Sequence, residues 1–165
     1  MSRRSSPLQR EIGQSKPFAT SRQEATLALL RTADVVRRRL SDFFEGHGLT
    51  TQQYNVLRIL RGAGESGLPT LSIGERMLER TPGVTRLVDR LVEKGWVYRE
   101  RSPNDRRQVF CFLSESGLEL LSRLDEPVLR LDETSLGGLS CGDEEQLLRL
   151  LDRIRDPSTG KEPGS

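Results

Sequence analysis

LSIGERMLERTPGVTRLVDRLVEKGWVYRERSPNDRRQVFCFLSESG, residues 71–117, holds two short helical patterns that run into an arginine-studded β-hairpin. The second pattern opens Thr81-Pro82-Gly83. Thr81 suits a helix N-cap, Pro82 a first-turn position where the missing N–H does no harm, and Gly83 a backbone bare enough to approach a phosphate. Val84, Leu87, Val88 and Leu91 then fall within one narrow arc, with Arg86 nearly opposite and Arg90 flanking it. After Gly95 the period changes from helix to strand. Residues 96–101 and 108–113 read as paired strands, turning at Ser102-Pro103-Asn104-Asp105 and followed at once by Arg106 and Arg107. A helix-turn-helix with a basic wing is the simplest reading.

Working outward, a capping box at Ser21 and Glu24 predicts a long helix whose Leu30, Ala33, Val36, Leu40 and Phe43 form one apolar stripe before Gly46 stops it. Thr50 and Gln53 form a second capping box, with Leu49 and Tyr54 spaced for a hydrophobic staple, and Gly62 ends that helix. A Gly-rich loop over 63–69 leads to a short helix at about 71–78, with Ile73 and Met77 on its inner side. Beyond the hairpin, Leu118, Leu121 and Leu124 begin a helix that Pro127 should kink or break. Ser140 and Asp143 cap a last helix carrying Leu147, Leu150, Leu151 and Ile154 at heptad-like spacing. Residues 1–20 lack periodicity and read as a flexible arm, and 156–165 as a disordered tail.

The chain's 165 residues suit one domain, and its net charge of +2 decides little until its distribution is followed. Between Arg76 and Arg107 nine Arg or Lys face five Asp or Glu, a local +4; between Ser114 and Asp156 five basic residues face eleven acidic ones, a local −6. The basic third suits a polyanion, while the acidic third suits solvent or a partner. Cys111 and Cys141 are too few for a disulfide framework and no pair has metal-ligand spacing, so a reducing compartment is the default. The basic N-terminus precedes no apolar signal core, and no apolar run approaches a membrane span. The expectation is a soluble, cytoplasmic protein with no membrane partner.

Residues 81–95 also fit a surface helix whose arginines merely balance Asp89 and Glu93. The order of parts favours double-stranded DNA: short helix, three-residue turn, second helix with Thr85 and Arg86 in its first turns, then the Arg106-Arg107 hairpin. On this reading Arg86 reaches a guanine edge and Arg90 holds phosphate. The hairpin taken alone is equally a solvated turn. Asp105 argues otherwise, because an acid beside two arginines lowers attraction to phosphate unless it orients one guanidinium and leaves the other for the minor groove. Asp105→Ala is therefore expected to weaken binding in a DNA titration, although it makes the protein more positive; tighter binding would remove that role. Cys111 reads as a small core side chain, Cys141 as a residue at a helix start, and His47 as a C-cap or solvent group. No Ser-His-Asp, paired-carboxylate or phosphate-loop arrangement stands out, so the sequence predicts neither an enzyme nor a cofactor.

With these residues in view, the chain resembles the MarR (multiple antibiotic resistance regulator) family of winged-helix transcription factors. GLTTQQYNVLRIL at 48–60 is similar to the family's second helix, TPGVTRLVDRLVEKGW at 81–96 to its recognition helix, and NDRRQVFCFLSESG at 104–117 to its wing, a D-x-R followed by a strand and a Leu-Ser/Thr step. The resemblance implies a mainly α (α+β) fold, with a winged helix-turn-helix over 47–117, a dimerisation helix over 21–46 and further dimerisation helices over 118–155. It implies a homodimer on a pseudo-palindromic operator, acting as a repressor released by a small aromatic or phenolic effector. It also implies that Thr81, Pro82, Gly83, Thr85, Arg86 and Arg90 contact the major groove or its phosphates, and that Asp105, Arg106 and Arg107 form the wing-tip contact. No cysteine stands on the first helix, where peroxide-sensing members carry theirs. A rival reading is a winged-helix protein-interaction module that uses its acidic C-terminal helices for docking.

Overall fold

A computed structural model describes residues 5–101 and 108–156. The elements in order are α1 (Pro7–Glu11), α2 (Ser21–Glu45), α3 (Thr51–Ala63), β1 (Leu68–Pro69), α4 (Thr70–Glu75), α5 (Val84–Glu93), β2 (Val97–Arg101), β3 (Val109–Leu113), α6 (Glu115–Leu136) and α7 (Cys141–Arg155). The fold is mostly helical with one small antiparallel sheet, as the sequence predicts. Two compact units divide it, Met1–Leu124 and Asp125–Ser165. No described helix is long and apolar enough to cross a membrane.

The first unit is built around α3. At its start the capping box forms as predicted: Gln53 N donates to Thr50 Oγ1 at 3.1 Å and Thr50 N donates to Gln53 Oε1 at 3.0 Å. Both staple residues, Leu49 and Tyr54, are buried, and Tyr54 stacks on Phe44 of α2 with ring centroids 4.2 Å apart. Val56, Leu57 and Leu60 of α3 share a fully buried class with Ile73 of α4, Val88 and Leu91 of α5, and Cys111 of β3. Leu121 and Leu124 bring the first half of α6 to the same burial. Removing so many side chains from water is the main stabilising term, at roughly 1.5–3 kcal/mol for each large aliphatic one.

The sheet runs β1-β3-β2. Val97 pairs with Leu113 and Arg101 with Val109 across the wing strands, while Leu68 pairs with Cys111 across β1 and β3. Strand β1 falls inside the stretch expected to be only loop. Two residues carry no readable alternation, and β3 alone determines their pairing; Pro69 is tolerated because this strand lies at the sheet's edge.

Other boundaries also differ from the sequence reading. The long helix is capped by Thr20, whose Oγ1 accepts from Gln23 N at 3.1 Å, one residue before the predicted Ser21. Residues 5–20, expected as a flexible arm, contain α1, with Ser6 as its N-cap and Pro7 in its first turn. Gln9 and Phe18 of that stretch are buried, which explains why it orders. Pro127 does not end α6, which runs on to Leu136. Proline removes one helical bond, to the carbonyl of Arg123, and Arg123 lies at the exposed surface where water can serve instead. In the second unit, the predicted Ser140/Asp143 capping box starts α7, and the Ser140 hydroxyl and N–H hold the Asp143 carboxyl below its ordinary pKa. The predicted tail beyond Asp156 lies outside the described residues.

Candidate nucleic-acid interface

The recognition element starts later than its sequence suggests. Thr81 is not the N-cap of α5; its hydroxyl donates to the carbonyl of Glu79 at 3.1 Å, and the helix begins at Val84 with Gly83 as cap. Gly83 adopts φ 79° and ψ 33°, a left-handed conformation that favours glycine, which accounts for the shift. Gly83 offers no side chain to cap the helix, so the first N–H groups of α5 have no side-chain acceptor. Unsatisfied donors at the positive end of a helix dipole attract anions.

The two faces of α5 separate cleanly. Val88 and Leu91 are fully buried, while Thr85, Arg86 and Arg90 are exposed. Neither Arg86 nor Arg90 has an ion-pair or hydrogen-bond partner among the described residues. Asp89, at helical spacing from Arg86, instead accepts from Arg99 of β2 at 2.7 Å. Partial burial works against the charged Arg99 guanidinium, but its pairing with Asp89 and the nearby Cys111 outweigh this and hold its pKa above the ordinary arginine value. Thr70 Oγ1 lies 3.7 Å from the buried Cys111 Sγ, which ties the start of α4 to β3, while the Arg99–Asp89 pair ties β2 to α5. Sequence spacing concealed the Asp89–Arg99 pair because it joins two elements across the fold.

Further ties fix the far end of α5. Lys94 Nζ donates to Gly48 O at 2.7 Å and lies over the Trp96 ring, 4.7 Å from its centroid. Ser114 and Ser116 both donate to the Gly95 carbonyl, at 2.7 and 2.9 Å, and Ser114 Oγ accepts from Gly117 N at 3.1 Å. His47 Nδ1 sits 2.8 Å from Phe43 O, in keeping with its predicted place at the end of α2. Between α4 and the start of α5 lies an open groove of about 640 Å³, bordered by Thr70, Leu71, Gly74, Thr81, Pro82 and Thr85 among others. Leu71, at 77 % exposure, stands on its rim and was not singled out by the sequence pattern.

Thr81, Pro82, Gly83, Thr85 and Arg86 thus lie together at the start of α5, whereas Arg90 stands in its last turn. Asp105, Arg106 and Arg107 lie outside the described residues. No group of three or more metal-ligating side chains occurs among the described residues.

Comparison with known proteins places this arrangement. A family model described as MarR family matches residues 47–108. The HTH-type transcriptional regulator YkoM of Bacillus subtilis is 34% identical over 107 residues, covering 64% of this chain and 67% of the relative. A MarR transcription factor from Planctomyces limnophilus, known from its crystal structure, is 40% identical with a TM-score of 0.64, over 82% of this chain and 98% of that one. A mutant MarR from E. coli complexed with operator DNA shares the fold at 23% identity, with a TM-score of 0.73 over 84% of this chain and 99% of that one. These relatives are transcription factors and regulators rather than enzymes. The family-model match spans α3, α4, α5 and β2, and the chain belongs to the MarR family of DNA-binding transcriptional regulators.

Proposed function

We propose that this regulator is a sequence-specific repressor that binds a pseudo-palindromic operator as a homodimer and is released by a small aromatic or phenolic effector. The observation that carries the reading is the bare arginine face of α5: Arg86 and Arg90 have no partner among the described residues, and the helix start presents uncapped N–H groups. An unpaired guanidinium offers two parallel donors to a guanine edge or a charge to phosphate. Thr81, Pro82, Gly83 and Thr85 lie against the groove wall or its phosphates, Arg86 reads a base and Arg90 holds phosphate. Asp105, Arg106 and Arg107 enter as the wing-tip contact on their sequence alone.

Two observations support the paired arrangement. Leu30 of α2 is 62 % exposed, and α7 buries none of its residues, leaving Leu148 and Ile154 open at 60 and 61 %. Apolar stripes of this kind are stabilised when a second copy covers them. On this reading α2, α6 and α7 form the dimerisation region and residues 47–117 the DNA-binding region. A repressor role agrees with the relative NicR of Pseudomonas putida, an HTH-type transcriptional repressor 32% identical over 108 residues. Effector release agrees with the structural neighbour BpsR of Bordetella bronchiseptica, whose DNA binding is regulated by 6-hydroxynicotinic acid. Release requires differential affinity: the effector must prefer a spacing of the two recognition helices that the operator does not accept.

Titrating duplex DNA across a range of salt concentrations tests the interface. Log K falls linearly with log salt, with a slope of about −0.9 for each phosphate neutralised. Arg90→Ala is expected to weaken binding nearly equally on all sequences and to reduce the slope by about one. A slope that Arg90→Ala leaves unchanged would take Arg90 off the phosphate backbone.

A further inference from the structure

Residues 76–83, between α4 and α5, decide where the recognition helix begins, and they are sparsely held. The first two fold back on α4 through bonds from Arg76 N to Ile73 O at 3.1 Å and from Met77 N to Gly74 O at 3.4 Å. Asn55 of α3 donates to Met77 Sδ at 3.7 Å. From Leu78 to Gly83, among the described residues, one polar side-chain tie reaches another element: Arg37 Nε of α2 donates to Glu79 Oε1 at 2.9 Å. Glu79 is also the residue whose carbonyl receives the Thr81 hydroxyl. A single residue therefore links α2 through its carboxylate and Thr81, in the turn before the recognition helix, through its backbone.

Both side chains of the pair are about half exposed, at 54 and 52 %. Such a pair adds little to fold stability. Its consequence is geometric, because the chain around it has few other polar ties that select one arrangement. On α2, Arg31 is bound to Glu11, and Asp34 accepts from Arg31 and Arg38, which leaves Arg37 directed to the turn.

We propose that Arg37 and Glu79 form a latch that passes the position of α2 to the turn leading into the recognition helix, making Arg37 a positioning residue for operator recognition. The latch rests on the DNA-reading function proposed above and adds a route by which a shift of α2 alters operator affinity. A displacement of α2 draws Glu79 with it, and Thr81 follows through its bond to the Glu79 carbonyl.

Arg37→Glu, Glu79→Arg and the double exchange test this by fluorescence anisotropy. The probes are a duplex that the unmodified protein has enriched from random sequence, and the random pool itself, at one salt concentration. Glu79→Arg adds positive charge beside the DNA-facing turn, so general attraction alone would tighten binding to both probes. The latch predicts that Glu79→Arg instead weakens binding to the enriched duplex by about two- to fivefold while pool binding holds or tightens. It further predicts that the double exchange restores the preference and that thermal unfolding midpoints stay unchanged throughout. Equal tightening on both probes, or single effects that simply add in the double exchange, would overturn it. Failure of the unmodified protein to enrich any duplex would bring down the DNA reading and the latch together, whereas retained enrichment with additive effects sinks the latch alone.

Discussion

Gly117→Ala is expected to lower the unfolding free energy by about 3 kcal/mol, the upper range for overpacking a well-filled site. A methyl group at this position would lie 2.3 Å from the carbonyl oxygen of Trp96 and 2.8 Å from Leu113 Cδ1. The backbone on both sides is fastened. Ser114 and Ser116 hold the start of α6 to Gly95, and Ser114 N donates to the same Trp96 carbonyl at 3.0 Å. Relief therefore requires breaking bonds that join α6 to the chain leaving the recognition helix. Thermal denaturation followed by circular dichroism should show a midpoint lower by about 6–12 °C, taking 2–4 °C per kcal/mol for a chain of this size. Gly62→Ala is the control: nothing lies within 4 Å of its added methyl, and helix propensity alone should stabilise α3 by about 0.5–1 kcal/mol. Both variants are compared at one protein concentration, because association shifts midpoints by mass action. An unchanged midpoint for Gly117→Ala would contradict the tight contact between α6 and Trp96.

Arg86→Ala should reduce affinity for the cognate operator by about 1–3 kcal/mol, or roughly 5- to 150-fold, and relax the preference at one base position. The loss is specific to DNA because Arg86 is exposed and has no partner among the described residues, so the fold should unfold at an unchanged midpoint. Arg90→Ala provides the contrast, with a loss spread evenly over sequences. Distinguishing the two requires titration of the enriched duplex and of single-base variants across each half-site. Equal losses on every duplex would reassign Arg86 from base edge to phosphate.

Much of this architecture was legible where a local signal was sufficient. The capping boxes at Thr50 and Ser140 each join residues three apart, so the sequence displays both partners. The buried face of α5 was equally plain, since Val88 and Leu91 lie on a stripe that helical periodicity reveals. What escaped depends on distant partners or on competing local signals. TPG supports a threonine cap with proline in the first turn and also a left-handed glycine cap, and the second arrangement is the one adopted at Gly83. Strand β1 exists because Leu68 meets Cys111, far along the chain. Arg99 and Arg37 look like ordinary basic residues until the fold brings them to Asp89 and Glu79. The exposed face of α5 was readable as arginines, but their freedom from Asp89 became visible only with that pairing.

The central claim is that two copies of α5 read one two-fold site. Selection of bound duplexes from a random DNA pool tests it most directly. The account predicts a dyad-symmetric consensus whose half-sites are centred about one helical turn apart, roughly 10 base pairs or a multiple, with the symmetry weakened at one position per half-site by Arg86→Ala. A pool that shows no enrichment, or a consensus without two-fold symmetry, would contradict it.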